Sequence, residues 1–201
     1  FSLYLDGTAT ISFDMETFDV SVLETVDWVH LGGVLLTVEP ARTALLELLE
    51  SAHEHDCVVS FDPNIRDDLF DPADLETVRN VARRADVVKL TRVELERMGI
   101  DKPEAVVENG SEYVFVTEGA SGAIGVATTN GRDIERVEHS GYQVDVQDTT
   151  GAGDAFVAGV IASLRSGRDL FETLRYANAV AAMTTHDAGE KAASVTEQGV
   201  R

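Results

Sequence analysis

The sequence has little of several things that would mark particular classes of protein. It contains a single cysteine, Cys57, which excludes an internal disulfide and a cysteine-based metal site. Because Cys57 opens an apolar run, the thiol is expected in the core and not at a reactive site. No run approaches the ~18 consecutive apolar residues of a membrane span, and no signal-peptide pattern opens the chain. The sequence therefore predicts a cytoplasmic protein without a membrane partner.

Positive charge is also scarce. Sixteen Lys and Arg residues stand against 36 Asp and Glu residues, for a formal net charge of −20 over 201 residues. The lysines are Lys89, Lys102 and Lys191. A surface of this kind repels polyanions, so nucleic acid is excluded as a partner. The acidic residues are dispersed along the chain, and salt screens their mutual repulsion, which predicts a halophilic source.

What the sequence does contain is an alternation of apolar runs with helical patterns. Strands are expected at residues 1–13, 28–31, 58–61 and 87–90, and helices at 41–52 and 75–85. Strands that alternate with helices predict a parallel sheet covered on both faces. Four further short strands with Gly-rich turns, at 113–116, 122–127, 134–137 and 142–146, predict an antiparallel edge.

Two more helices are expected after these strands, one opening at Gly151 and one over residues 170–181. No linker, repeat or low-complexity stretch interrupts the chain, which predicts one domain over residues 1–201. The chain opens at Phe1, without a Met, inside a strand-like run. We therefore expect an upstream portion to be missing.

The segment with the most chemical information precedes the first of these helices and reads Asp148-Thr149-Thr150-Gly151-Ala152-Gly153-Asp154. Small residues let an anion approach the backbone, and the first amides of a helix have no intrahelical partner. A carboxylate in this turn can accept the proton of an attacking hydroxyl group while the amides hold a phosphate. The alternative is a plain Gly turn before a helix. The other common phosphate loop, Gly-x-x-x-x-Gly-Lys-Ser/Thr, is absent.

The segment from Asp148 to Phe156 resembles the C-terminal signature of the PfkB (ribokinase-like) carbohydrate kinases, and the resemblance runs along essentially the whole chain. Its motifs are most similar to fructokinase-like and 2-keto-3-deoxygluconate-kinase-like members. The resemblance implies an α/β, ribokinase-like three-layer sandwich with a mostly parallel sheet, helices on both faces and an antiparallel edge. It also implies that the N-terminal lid portion of the family is absent from this chain.

The same resemblance implies an activity: ATP-dependent phosphorylation of a sugar hydroxyl group. Asp154 corresponds to the general base, and the amides of Gly151, Ala152 and Gly153 correspond to the anion hole. Two alternatives stay open. One is a nucleoside or sugar-phosphate kinase of the same fold, and the other is a non-catalytic protein that binds a nucleotide or a sugar.

Two segments resemble the nucleotide side of the family's site, and a third that involves Thr91 and Glu94 follows. Thr117, Gly119 and Gly122 match a Thr-x-Gly-x-x-Gly nucleotide loop, for which a plain hairpin turn is the alternative. Asn178 matches the Asn beside the adenine, unless it is a solvent-facing residue of a helix.

Thr91 and Glu94 match the family's Asn-x-x-Glu motif, with Thr91 in the place of the Asn. The resemblance implies that Glu94 organises water around Mg²⁺ and that Thr91 contacts a phosphate. The same pair is also a capping box for a helix, and both interpretations can hold together.

Two segments resemble the substrate side of the family's site. The run from Ser60 to Arg66 is similar to an Asp-x-Asn-x-Arg segment, in which Arg66 contacts the substrate or the transferring phosphate; a solvent-facing Arg is the alternative. Tyr4 lies in a segment similar to a Tyr-Arg-x-Gly strand, but Leu5 stands in the place of the Arg. Since that Arg pairs with the carboxylate of acid sugars, a neutral sugar such as fructose is favoured.

The resemblance finally implies a monovalent cation, K⁺, held through backbone oxygens. Asp148 and Thr150 fall at this position, together with the loop of residues 188–194. It also implies a small-molecule sugar as the partner, and a homodimer formed through the lid portion.

Overall fold

The computed structural model describes residues 8–129 and 133–186. Its strands are β1 (Trp28–Gly32), β2 (Val58–Asp62), β3 (Val87–Thr91), β4 (Tyr113–Thr117), β5 (Ala123–Thr129) and β6 (Asp133–His139). Its α-helices are α1 (Ala41–Glu54), α2 (Pro72–Arg84), α3 (Arg92–Arg97), α4 (Glu104–Glu108), α5 (Ala152–Arg165) and α6 (Leu170–His186). The sheet has the strand order β1-β2-β3-β4-β5-β6. None of the helices in this part of the chain combines the length and apolar character that crossing a membrane requires.

The chain divides into two compact units, unit 1 (Phe1–Val114) and unit 2 (Phe115–Arg201). The expectation of one domain over residues 1–201 stays a prediction.

Unit 1 is built on three parallel strands. Leu31 of β1 lies opposite Phe61 of β2, which in turn lies opposite Val88 of β3. The predicted helix over 41–52 forms as α1, and its buried residues are Ala41, Ala44, Leu45, Leu49 and Ala52. Each fully buried Leu or Phe side chain stabilises the fold by ~1.5–3 kcal/mol relative to exposure.

Helix α2 begins at a capping motif in its own sequence. The carboxylate of Asp71 accepts from the amides of Ala73 and Asp74, the side chain of Asp74 accepts from the amide of Asp71, and Pro72 occupies the first turn. This reciprocal capping satisfies amides that the helix itself leaves without a partner.

Unit 2 contains the antiparallel pair β5 and β6, with Gly125 opposite Val137. Helices α5 and α6 pack together, and a Cβ added to Gly159 of α5 would lie 2.8 Å from the Cα of Ala177 in α6. The close approach of the two backbones therefore requires a glycine at this position.

Two of the predicted strands are wrong in the described residues. The run over 1–13 contains a short 3-10 helix at Ala9–Ser12, while residues 1–7 lie outside the described part. Residues 142–146 form no strand and are exposed; the following Gln147 amide donates to the carbonyl of Thr185 at 2.9 Å. Alternating side chains do not make a strand without a paired neighbour, and none is found there among the described residues.

Candidate active site

The start of α5 is the predicted anion hole. Gly151 precedes the helix in a left-handed conformation (φ +79°), and no side chain caps the helix. The amide of Ala152 donates to the carbonyl of Thr149 at 3.2 Å. The amides of Gly151, Gly153 and Asp154 donate to no group within the described residues. A helix N-terminus with amides left in this state, together with the helix dipole, favours an anion.

The buried face of α5 fixes the direction in which this turn points. Phe156 is buried and meets Phe115 of β4 edge to face, with ring centroids 6.3 Å apart. Val157 and Val160 are buried on the same helix. The apolar residues that the sequence placed after the Gly-Ala-Gly-Asp segment thus anchor the helix, while its first turn keeps contact with solvent.

Asp154 lies in that first turn and is exposed, and its side chain makes no hydrogen bond within the described residues. Asp148, also exposed, accepts a hydrogen bond from the amide of Thr150 at 2.8 Å. This hydrogen bond lowers the pKa of Asp148 from its ordinary value. Of the two carboxylates in the motif, Asp154 is the one whose oxygens are available to a substrate.

The two glycines of the predicted nucleotide loop serve different purposes. Gly119 (φ +59°) is exposed, and a Cβ built there would have no atom within 4 Å. Gly122 (φ +92°) packs against backbone, because a Cβ there would lie 1.9 Å from the carbonyl oxygen of His139. The hairpin-turn interpretation therefore describes Gly122, whereas the backbone at Gly119 is open to a ligand. Thr117 is the last residue of β4, half-buried beside this turn.

Asn178 lies on α6 and is only 7% exposed, so the interpretation as a solvent-facing residue is wrong. Its Nδ2 donates to the carbonyl of Leu174 at 2.9 Å. A role beside the adenine stays a prediction.

In unit 1, Glu94 is clamped between the start of α3 and the loop after β2. Its Oε2 accepts from the amide of Thr91 at 2.7 Å and from the Thr91 hydroxyl group at 2.9 Å, and Thr91 Oγ1 accepts from the amide of Glu94. Its Oε1 accepts from the amide of Ile65 at 2.7 Å. The capping box is thus confirmed, and the Glu94 carboxylate also binds the loop that follows the neighbouring strand β2. A water-mediated role with Mg²⁺ stays a prediction.

Sequence reasoning missed the ion pair beside Glu94. Lys89 Nζ lies 2.9 Å from Asp62 Oδ2, and both residues are buried, at 7% and 5% exposure. The two carboxyl ends of parallel strands meet at the same edge of a sheet, which places these residues together. The signal was a lone Lys in an apolar strand, since a lysine is almost never fully buried without a partner.

Burial raises the pKa of Asp62, an effect that Lys89 opposes and the charge of Glu94 reinforces. The other oxygen of Asp62 accepts from the amide of Asn64 at 3.2 Å. Asn64 itself adopts a left-handed conformation (φ +46°).

Arg66, at the end of this loop, is exposed, and its side chain pairs with no group in the described part of unit 1. Tyr4 and the loop of residues 188–194 lie outside the described residues. Their predicted roles stay predictions.

The donor groups fit a nucleotide better than they fit a metal held by protein alone. The turn at Gly151 and the open backbone at Gly119 suit phosphate oxygens. Within the described residues no group of three or more His, Cys, Asp or Glu side chains could hold a metal ion. Mg²⁺ commonly binds through one or two carboxylates, several waters and the phosphates of its nucleotide. Both oxygens of Glu94 already accept hydrogen bonds in unit 1, so this carboxylate suits a contact through water and not direct coordination.

Comparisons with known proteins show which family the sequence matches. The family model for "pfkB family carbohydrate kinase" matches residues 1–197. Fructokinase-1 of Zea mays is 32% identical over 216 residues, a match that covers 100% of this chain and 65% of the maize protein.

Two solved fructokinases share the fold. The Xylella fastidiosa enzyme with bound ATP superposes with a TM-score of 0.86 at 25% identity, covering 99% of this chain and 67% of that one. The Vibrio cholerae enzyme superposes at 0.74 and 30% identity, covering 86% of this chain and 59% of that one, and holds fructose, ADP and calcium. A double mutant of the latter holds fructose, ADP and potassium. The chain thus spans 59–67% of the length of these relatives.

Proposed function

The chain belongs to the pfkB family of carbohydrate kinases, and on that premise we propose that it transfers the terminal phosphoryl group of ATP to a hydroxyl group of a neutral sugar. Fructose is the first substrate to test, because the relatives named above are fructokinases and because Leu5 replaces the arginine that pairs with acid sugars.

The observation that carries the proposal is the uncapped first turn of α5 with an exposed carboxylate in it. ATP, when bound, supplies the phosphoryl group. The amides of Gly151, Gly153 and Asp154 are available to stabilise negative charge on its oxygens. The amide of Ala152 already donates to Thr149, so its share in the anion hole needs that long hydrogen bond to be exchanged.

Asp154 accepts the proton of the attacking sugar hydroxyl group in this proposal. Its oxygens are exposed, and no protein donor within the described residues competes for them. General-base catalysis of this kind contributes about 10²–10⁴ in rate. Because phosphoryl transfer depends mainly on positioning and electrostatic stabilisation, most of the remaining rate enhancement falls to the helix amides.

The other predicted residues take supporting roles. Gly119 lets the nucleotide approach the backbone, and Thr117 and Asn178 line the nucleotide side. Glu94 with Thr91 holds water around Mg²⁺. Arg66 and Tyr4 belong to the substrate side. The monovalent cation at Asp148 and Thr150 is supported by the potassium in the Vibrio cholerae double mutant.

The test is a substrate panel. The full-length protein is assayed at high salt with ATP and Mg²⁺ against fructose, other neutral sugars, acid sugars, sugar phosphates and nucleosides, with Asp154→Asn as the background. Turnover of a neutral sugar above that background is expected. Preference for a nucleoside or a sugar phosphate moves the protein to the second hypothesis, and ATP binding without turnover of any acceptor supports a non-catalytic protein.

A further inference from the structure

The loop that ends at Arg66 is held from three sides. The carboxylate of Asp62 accepts from the amide of Asn64 at 3.2 Å, and that of Glu94 accepts from the amide of Ile65 at 2.7 Å. On the third side, Gly33 lies against Pro63 so closely that a Cβ on Gly33 would be 2.3 Å from the Pro63 carbonyl oxygen.

The backbone that these contacts hold includes an uncommon conformation. Asn64 has φ +46°, in the left-handed region, which Asn adopts more readily than most residues other than glycine. It lies two residues before the exposed guanidinium group of Arg66.

Lys89 is the ion-pair partner of Asp62 in this arrangement. Asp62 and Glu94 are each about 5% exposed, and their charges repel each other. Lys89 is 7% exposed and donates to Asp62 Oδ2 at 2.9 Å. Without its ammonium group, the buried Asp62 carboxylate would lose its ion-pair partner and keep the repulsion of the neighbouring Glu94. The Asp62 side chain, which accepts from the amide of Asn64, would then have no cation to hold it in place.

We propose that Lys89 is a positioning residue for Arg66: by holding the Asp62 carboxylate, it fixes the backbone of Pro63–Arg66 and thereby the placement of the guanidinium group. Lys89 is buried and paired with Asp62, and in this proposal it acts through the loop. This inference rests on the proposed function, because it takes Arg66 as a contact of the sugar or of the transferring phosphate.

A merely structural ion pair makes a different prediction. Buried pairs can often be replaced by uncharged groups without loss of stability, whereas removal of one partner leaves a buried lone charge. The double variant Asp62→Asn with Lys89→Met removes both charges and keeps an oxygen at residue 62 to accept from the Asn64 amide. It isolates the effect on the loop from the effect of an unpaired charge.

The experiment compares three full-length variants: Lys89→Met, the double variant and Lys102→Met. The last is a matched control, because Lys102 pairs with Glu108 at 3.2 Å on the exposed surface of the same unit. Steady-state kinetics with the best sugar of the panel are combined with hydrogen exchange of the peptide that contains residues 62–66. Thermal melting confirms that each variant is folded.

We expect kcat/KM for the sugar to fall about 10- to 100-fold in Lys89→Met and to stay at least about fivefold low in the folded double variant, since displacements of about 1 Å have effects of this size. The KM for MgATP should change less than about twofold, and exchange at residues 62–66 should quicken. Lys102→Met should match the wild type.

Wild-type sugar kinetics and wild-type exchange in the double variant would overturn the proposal, and so would an equal effect of Lys102→Met. If Lys89→Met does not fold, the double variant decides alone. A wild-type protein that turns over no sugar would contradict the proposed function instead, and the exchange data would still report whether Lys89 holds the loop.

Discussion

The ends of β2 and β3 in unit 1 and the start of α5 in unit 2 both carry polar groups, but they use them in opposite ways. In unit 1 each carboxylate oxygen of Asp62 and Glu94 already accepts a hydrogen bond from the protein. At α5 three backbone amides and the carboxylate of Asp154 donate to or accept from nothing in the described residues.

The difference distinguishes residues that stabilise the structure around a site from residues whose polar groups are left to bind a ligand. Buried polar groups are satisfied because leaving them without partners is expensive, and the cluster in unit 1 follows that rule. An exposed helix start can leave its amides to water until a ligand takes them. Mutations in unit 1 should therefore damage stability and loop order first and lower turnover only through the loop, whereas mutations at the start of α5 in unit 2 should lower turnover or nucleotide affinity directly.

The largest effect is expected at Asp154. Asp154→Asn should lower kcat by about 10³-fold, in the range for loss of a general base, while ATP binding and stability stay close to wild type because the side chain is exposed. Asp169→Asn is the control: Asp169 accepts from the amide of Glu172 at 2.8 Å at the start of α6, and its variant should keep kcat. Near wild-type turnover by Asp154→Asn would refute the assignment of the base.

In unit 1, Lys89→Met should show a loss of stability that depends on pH. Burial raises the pKa of Asp62 in the folded protein. The contribution of Asp62 to the free energy of unfolding is therefore fully present below the pKa of this group in the unfolded chain, near 4. It is lost as pH rises through the pKa of Asp62 in the folded protein. Removing Lys89 raises that value further.

The stability difference between Lys89→Met and wild type should be small near pH 4 and grow to about 3–5 kcal/mol at pH 7, the range for a broken buried pair. Denaturant unfolding at several pH values measures it. Lys102→Met should lose no more than about 0.5 kcal/mol at any of them, since its pair is exposed. A pH-independent loss in Lys89→Met would contradict an ionised Asp62 in the folded protein.

A smaller effect is expected from two neighbouring glycines. A Cβ on Gly33 meets the backbone of Pro63, whereas a Cβ on Gly32 has no atom within 4 Å. Gly33→Ala should lose about 1–3 kcal/mol of stability, the range for overpacking, and Gly32→Ala should lose much less. Equal unfolding midpoints for the two variants would show that the loop yields freely.

The smallest stability effect is expected at Gly119. Gly119 and Gly99 both have positive φ and open space around the Cβ position, so each Ala variant should lose about 1 kcal/mol from backbone strain. Only Gly119→Ala should also raise the KM for MgATP, because only that turn is proposed to meet the nucleotide. A similar rise in Gly99→Ala would remove the special role of the Gly119 turn.

The pattern of the sequence predicted those parts of the molecule that follow from local chemistry. The apolar spacing of α1 and the Gly-Ala-Gly-Asp turn before α5 are read directly from neighbouring residues, and the Thr91–Glu94 capping box is a contact over three positions. Short helices such as α4 (Glu104–Glu108) are too brief to show a period.

Contacts between distant residues were beyond that reasoning. The Asp62–Lys89 pair joins residues 27 positions apart, and Glu94 reaches Ile65 over 29 positions. Residues 142–146 alternate as a strand does, yet pairing depends on a neighbour that no local pattern reveals. The different environments of Gly119 and Gly122 likewise depend on the backbone of residues 139–141.

Backbone amide NMR during titration with ADP and Mg²⁺ tests most directly whether the start of α5 binds phosphate. The amide signals of Gly153 and Asp154 should shift on binding, while that of Ala73, which already donates to Asp71 at 2.7 Å at the start of α2, should stay in place. If the nucleotide binds and the Gly153 and Asp154 signals do not move, this turn is not the phosphate site.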